Sequence, residues 1–270
     1  MLLLNKVVVV TGASSGIGEA TAYAFAKAGC KLVLAARSAD TLNKVKSTCE
    51  SFNTQAIAVK CDVSNEADCK HLMQEAIKTF GTIHILINNA GISMRALFVE
   101  ADLDVIRQLM NINFWGAVYC TKYALPELLK NKGSVIGVSS VAGIKGLPAR
   151  TGYSASKFAM NGFFESLRIE NLKNNLHVGM IYPGYTASNI RNAALNKNGK
   201  SQSESPLDES KLMPASKVAD YIVAMTLSRK AEVVLTSQGK LTRLLNKFFP
   251  RWVDKMVFNV VSKEADSPFK

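Results

Sequence analysis

Val7-Val8-Val9-Val10-Thr11-Gly12-Ala13-Ser14-Ser15-Gly16-Ile17-Gly18 is the stretch on which the fold turns. Four consecutive valines make a short, wholly apolar, β-branched run, the composition of a strand buried on both faces of a parallel sheet. A glycine-rich turn follows, and the sequence then reads as a helix from about Ile17 to Lys27, stopped by Gly29. Glycines between a buried strand and a helix let backbone N–H groups approach an anion, and the positive end of the helix favours a phosphate there. Gly12, Ser14, Ser15, Gly16, Ile17 and Gly18 are therefore the candidate phosphate cradle. Their spacing is G-x-x-x-G-x-G rather than G-x-G-x-x-G, and a purely structural turn is the alternative.

Outward from this stretch the rhythm repeats. Strands are predicted over 31–35, 56–60, 83–87, 134–138, 176–181 and 232–235. Helices are predicted over 39–51, 65–79, 102–130 with a break near 111–113, 152–173 and 215–228. Such alternation predicts right-handed βαβ units and hence a Rossmann-like α/β fold: a doubly wound, seven-stranded parallel sheet with helices on both faces. With 270 residues, the chain suits one such catalytic domain over 1–236 and an extension over 237–270. A hydrophobic share of 48% against 20% charged residues excludes a disordered, collagenous or coiled-coil chain. Residues 189–214 break the rhythm with Asn196-Lys197-Asn198-Gly199-Lys200 and Ser201-Gln202-Ser203-Glu204-Ser205-Pro206, a polar excursion whose length suits a substrate lid or an idle surface loop.

The formal net charge is +12. Such a balance fits an anionic cofactor, an acidic membrane surface or simple solubility. No nucleic-acid recognition motif accompanies it, so no nucleic-acid partner is expected. Five cysteines without a C-x-x-C pair predict reduced thiols and a cytoplasmic protein. The scattered His71, His84 and His177 suggest no metal site. The N-terminus does not read as a signal peptide, and no apolar run reaches the length of a membrane span.

The second strand ends Leu34-Ala35-Ala36-Arg37-Ser38. An acidic residue at Ala36 would bind the ribose 2′-hydroxyl of NAD. Its loss, with Arg37 and Ser38 next in line, favours the 2′-phosphate of NADP(H), the alternative being a solvent-facing arginine. Asp62 and Val63 close the third strand, where Asp62 can accept from an adenine amino group.

Four further motifs follow in order: Asn88-Asn89-Ala90-Gly91, Asn113 within a helix, Ser139-Ser140, and Tyr153-Ser154-Ala155-Ser156-Lys157. Together with the glycine turn they resemble the short-chain dehydrogenase/reductase family in its single-domain form, over about 1–236. The resemblance implies that Tyr153 is the proton donor in carbonyl reduction and Lys157 its helper. It implies that Ser140 orients the carbonyl and that Asn113 holds a water in the proton relay. Ser140 rather than Ser139 carries the family's usual spacing from the tyrosine. By the same resemblance Asn89, Ala90 and Gly91 line the cofactor, and Pro183, Gly184, Thr186 and Ser188 close over the nicotinamide. Thr186 and Ser188 match the family pattern loosely. A homodimer or homotetramer is also expected, since symmetric oligomers are common.

Part of the chemistry can be read without the family. Tyr153 and Lys157 stand four apart and share one helix face. A cation ~4 Å from a phenolate, at an effective dielectric of ~20, stabilises it by about 4 kcal/mol, or about three pKa units, and desolvation opposes this. A net lowering of the Tyr153 pKa is therefore expected. Substrate contacts are expected from 92–97, 141–150 and 185–214, with Met94, Val141, Leu147 and Tyr185 forming an apolar pocket. Arg95 and Arg150 are expected at the surface, or against an anionic group. In 240–262, apolar residues from Leu241 to Val260 recur at i, i+3, i+4 spacing with Lys240, Arg243, Lys247, Arg251 and Lys255 off the stripe, and Pro250 restarts the helix. Such a tail suits packing on the protein or a partner subunit, or peripheral contact with a membrane. The expected activity is thus an NADP(H)-dependent oxidoreductase acting on an apolar carbonyl or alcohol. The rival is a catalytically idle scaffold that binds a membrane surface or partner through the tail.

Overall fold

In the computed structural model, residues 2–202, 212–264 and 267–269 are described. The valine run is strand β1 (Val7–Thr11), buried along its whole length. Each fully buried valine contributes about 1.5–3 kcal/mol. Helix α1 (Gly16–Lys27) follows, burying Ala22, Phe25 and Ala26. The chain continues through β2 (Lys31–Ala36), α2 (Ala39–Glu50), β3 (Ala56–Lys60), α3 (Glu66–Phe80) and β4 (Ile85–Asn88). Helix α3 shows why its ends fall where they do. The Asn65 side chain accepts from the N–H groups of Ala67 and Asp68, and Gly81, at φ 80°, ends the helix in the left-handed region.

Helix α4 (Leu103–Leu109) runs through a π-helical turn, Met110–Trp115, into α5 (Gly116–Lys130). The interruption expected near 111–113 is this wider turn, a feature often found at functional sites. Strand β5 (Ser134–Val138), helix α6 (Thr151–Glu170), strand β6 (His177–Tyr182), helix α7 (Ala215–Ser228) and strand β9 (Glu232–Val234) complete the core. A small pair, β7 (Thr186–Ala187) with β8 (Met213–Pro214), was not foreseen; its strands are two residues long and leave no periodic pattern.

The seven strands form a parallel sheet in the order β3-β2-β1-β4-β5-β6-β9. One core, including Val7, Val9, Leu72, Leu86, Cys120 and Phe164, packs on one sheet face. The other, including Val8, Val10, Phe25, Leu32, Ile136 and Ile222, packs on the opposite face. Alternate residues of β1 thus serve the two layers. The strand order reverses between β1 and β4, and a doubly wound sheet opens its ligand crevice at the C-terminal ends of such strands. The glycine turn after β1 and the Asn88–Gly91 motif after β4 both lie there.

The extension forms α8 (Ser237–Phe248) and α9 (Pro250–Ser262), with Pro250 at the restart. The stripe does not face one way. Val253 and Val261 of α9 are buried, but Leu241, Leu244, Phe248, Phe249 and Trp252 are exposed. The inner residues of α8 are instead Gly239 and Thr242. Of the expected lid, residues 203–211 lie outside the described residues. Residues 189–202 are tied down where Leu195 exchanges backbone bonds with Ser93 and Arg95.

Candidate active site

The glycine turn is held by close packing. Gly12 (φ 64°) and Gly16 (φ 56°) adopt left-handed backbone, and a Cβ on Gly12 would lie 2.8 Å from the Ala90 Cα. A Cβ on Gly18 would clash with the Gly12 carbonyl oxygen. Asn89 braces the turn: its Nδ2 donates to the carbonyls of Thr11 (3.0 Å) and Gly12 (3.2 Å). Thr11 Oγ1 accepts from the N–H groups of Asn89 and Ala90. The Asn89 amide therefore holds the cradle together as well as lining it.

The turn opens into a cavity of about 370 Å³ lined by Gly12, Ser14, Ser15, Gly16, Ile17, Arg37, Ser38, Asp62, Val63, Asn89, Ala90, Gly91 and Ser188. Nearly all the expected cofactor contacts on the first four strands thus converge on one cavity. Gly18 is buried behind it as a packing residue. Arg37 and Ser38 are exposed at its rim. Asp62 Oδ1 accepts from the N–H (3.0 Å) and hydroxyl (2.7 Å) of Ser64, which fixes the carboxylate.

Asn113 sits in the π-helical turn and is buried. Its Oδ1 accepts from Ile92 N (2.8 Å), and its Nδ2 donates to Ile92 O and Ser156 Oγ (both 2.9 Å). The Ser156 hydroxyl in turn donates to the Tyr153 carbonyl. Asn113 therefore joins the segment after β4 to the helix that carries Tyr153 and Lys157.

The two serines of the fifth strand's end divide. Ser139 Oγ donates to Asn161 Oδ1 (2.8 Å), and Asn161 Nδ2 donates to Gly143 O (2.8 Å). Ser140 caps a short 3-10 turn, Val141–Gly143, and lines the same two cavities as the Tyr153 phenol. That partition agrees with Ser140, not Ser139, as the serine beside the tyrosine.

Tyr153 and Lys157 are both buried. Lys157 Nζ donates to the Val138 carbonyl (2.9 Å) and stands 5.9 Å from the Tyr153 ring centroid. Burial pulls its pKa down to about 8. Tyr153 departs from the sequence expectation. Burial pushes its phenol above the ordinary tyrosine range, while the Ser140 hydroxyl and the Arg150 charge pull the other way. The expected net lowering fails because desolvation outweighs these partners.

Pro183, Gly184, Thr186 and Ser188 border a small cavity of about 80 Å³ together with Asn89, Gly91, Ser140, Tyr153 and Lys157. It shares Asn89, Gly91 and Ser188 with the glycine-turn cavity. It shares Ser140, Tyr153 and Gly184 with a third cavity of about 400 Å³. That third cavity is walled by Val141, Leu147 and Tyr185 from the body and by Gln238, Thr242, Met256, Val257, Val260 and Val261 from the tail. The tail is thus part of the pocket wall, which its own periodicity could not reveal. Met94 was expected there but does not line it: it is buried behind the wall, in the cluster with Val105, Leu109, Leu195 and Tyr153, and its neighbour Ser93 lines the cavity.

Arg95 and Arg150 are not surface residues. Both reach Glu264 of the tail, at 3.5 Å and 3.2 Å. Lys145 similarly reaches Asn246 (2.8 Å) and Asp254 (2.5 Å) across the same seam. Sequence reading missed Glu264 and Asp254 because their partners lie more than a hundred positions away. No helix among the described residues is long and apolar enough to cross a membrane.

Residues 6–199 match the family model described as short chain dehydrogenase. The chain is 44% identical over 182 residues to 11-beta-hydroxysteroid dehydrogenase-like 4A of Arabidopsis thaliana, a match covering 67% of this chain and 60% of that relative's length. It is 35% identical over 265 residues to 11-beta-hydroxysteroid dehydrogenase A of Arachis hypogaea, covering 94% of this chain and 76% of the relative. Among solved structures, a short chain dehydrogenase/reductase from Burkholderia phymatum in complex with NAD superimposes with a TM-score of 0.84 at 24% identity, covering 93% of this chain and 96% of that one. With the motifs in register on the fold that this family shares, the chain belongs to the short-chain dehydrogenase/reductase family.

Proposed function

We propose that the protein is an NADP(H)-dependent oxidoreductase that interconverts a carbonyl and an alcohol on an apolar substrate, with Tyr153 as general acid/base. The observation that carries this reading is the meeting of Ser140, Tyr153 and Lys157 between the glycine-turn cavity and the apolar cavity. The residues present fit a dinucleotide. The left-handed glycines bring backbone to the N-terminal end of α1, Asp62 faces the same cavity, and Arg37 stands at its rim. Arg37 beside Ala36 favours a 2′-phosphate over a free hydroxyl.

Bound there, the nicotinamide would supply or accept the hydride. Ser140 would donate a hydrogen bond to the substrate oxygen, and Tyr153 would give its proton to that oxygen in reduction or take it in oxidation. The phenol is protonated at neutral pH and can donate in reduction; burial makes it a weaker acid, and the Arg150 charge offsets part of that. Lys157 holds the phenol's surroundings positive, and Asn113 fixes the backbone on which the site rests. The apolar cavity, with few polar groups, suits a steroid-like or other lipid-like ketone, and the relatives' names point the same way.

The test is NADPH oxidation by the full chain against a panel of keto steroids and simple ketones. Nicotinamide fluorescence titration would give the binding constants. Tyr153→Phe should abolish turnover while leaving NADPH binding near normal. Full activity in that variant would remove the assignment.

The outward apolar face of the tail supports a second reading. Leu241, Leu244, Phe248, Phe249 and Trp252 are exposed beside Lys240, Lys247 and Arg251. Aromatic and aliphatic groups flanked by cations suit the interface of an anionic membrane. Flotation with anionic vesicles should fall on Phe248→Glu with Trp252→Glu. Unchanged flotation would end that reading, and loss of self-association instead would assign the face to a second copy of the chain.

A further inference from the structure

We infer that Arg150 is a positioning residue for Tyr153, and that Glu264, brought from the C-terminal tail, sets how much of the Arg150 charge reaches the phenol. This rests on the reading of Tyr153 as the acid/base.

Arg150 is the N-cap residue of α6, three positions before Tyr153. Its backbone (φ −136°, ψ 36°) is not helical, and what brings it to Tyr153 is the cavity that both line. Both are buried, and both line the apolar cavity. A guanidinium stays charged under all ordinary conditions, and away from water its field is poorly screened. The pull of the Arg150 charge on the phenol agrees with this placement.

The charge is only partly compensated. Glu264 Oε2 lies 3.2 Å from Arg150 Nη2 and 3.5 Å from Arg95 Nη2, so one carboxylate oxygen serves two guanidiniums. Its Oε1 accepts from the Tyr185 hydroxyl (2.9 Å). Arg150 Nη1 is buried and has no hydrogen-bond partner among the described residues. Among the described residues, charged groups lie on the elements packed around Tyr153. Lys157 comes from its own helix, Arg150 from the cap, Arg95 from the segment after β4, Arg191 from the segment after β6, and Glu264 from the tail. Lys145, on the same wall, is paired with Asp254. Among the described residues, Glu264 is the anion that meets both Arg95 and Arg150. Docking of the tail therefore does more than wall the pocket: it places a negative charge against the Arg150 guanidinium, which shares the cavity with the phenol.

The two partners must then act in opposite directions. Glu264→Gln keeps the size and an oxygen for Tyr185 but leaves Arg150 uncompensated, so the phenolate is favoured. Arg150→Met removes the cation and disfavours it. Arg150→Lys keeps the charge and should restore the wild-type behaviour, which a purely packing role for the guanidinium would not allow.

The experiment is a pH titration of tyrosinate absorbance in the full chain without added nucleotide. Each variant is read against its own Tyr153→Phe counterpart, which removes the other tyrosines from the signal. Glu264→Gln should lower the proton affinity of Tyr153 about tenfold, and Arg150→Met should raise it by a similar factor. Displacement in the same direction by both would overturn the inference. So would no displacement, including the absence of a Tyr153 signal in every background before the far-ultraviolet ellipticity is lost. If Arg150→Met does not fold, Glu264→Gln against Arg150→Lys decides: a tenfold fall in the first with none in the second is the supporting result. Turnover of Tyr153→Phe is measured in parallel. Activity there would end the reading of Tyr153, whereas an inactive Tyr153→Phe with undisplaced titrations would end only the role of Arg150 and Glu264.

Discussion

Replacing Lys157 with Met should stabilise the protein at neutral pH, and by an amount that depends on pH in a fixed way. Lys157 is buried, and its pKa falls from 10.5 to about 8, driven by desolvation. The folded state therefore binds this proton less tightly than the unfolded chain does. Between pH 8 and 10.5 the unfolded state carries more protons, so wild-type stability rises with pH through that window. Below it, the full cost of burying the ammonium is present, about 3 kcal/mol. Methionine has similar length and carries no such cost. It does lose the hydrogen bond to the Val138 carbonyl; the part that depends on the ammonium charge is already contained in the folded-state pKa, and the rest, about 0.5–1.5 kcal/mol, is a nearly constant offset. The assay is equilibrium unfolding in urea of both proteins at several pH values from neutral to strongly alkaline. The stability of Lys157→Met relative to wild type should be greatest at neutral pH and shrink by about 3 kcal/mol at the alkaline end. The titrations of other groups are common to both proteins and cancel. A difference that does not change with pH would refute the reasoning. It would mean that Lys157 keeps an ordinary pKa in the fold.

Two further outcomes follow from the same site. Arg37→Ala should weaken NADPH binding about tenfold or more while NADH binding changes little, read by nicotinamide fluorescence; equal losses would remove the phosphate role of Arg37. Ser140→Ala should cut kcat by about a hundredfold or more, as loss of a donor to the reacting oxygen does, whereas Ser139→Ala should cost about 1 kcal/mol of stability through its bond to Asn161. Similar kcat losses for the two would undo the distinction drawn between them.

Much of the architecture was legible because its causes are local. An apolar β-branched run, a glycine turn and a helical period each act over a few neighbouring residues, and seven repetitions of that rhythm leave little choice but a doubly wound sheet. Gly12 and the Tyr153–Lys157 pair carried local cues, a glycine turn after a strand and a four-residue helical spacing, whereas Asn89 and Ser140 came with the family resemblance; the strand order brings these segments to one end of the sheet. The π-helical turn under Asn113 left a trace as an expected break, but not its form.

What the sequence left open was decided by burial, which belongs to the whole fold. The periodicity of 240–262 foretold helices, yet not that α8 would turn Gly239 and Thr242 inward and Leu244 and Phe248 outward. Spacing put Lys157 beside Tyr153, but the depth of the pocket reversed the expected direction of the Tyr153 pKa. Arg150 read as a surface cation until Glu264, 114 positions later, was found against it. Charge and hydrophobic pattern fix which segments can form elements. The direction of a side chain, and the dielectric around it, are set by neighbours that only the folded chain supplies.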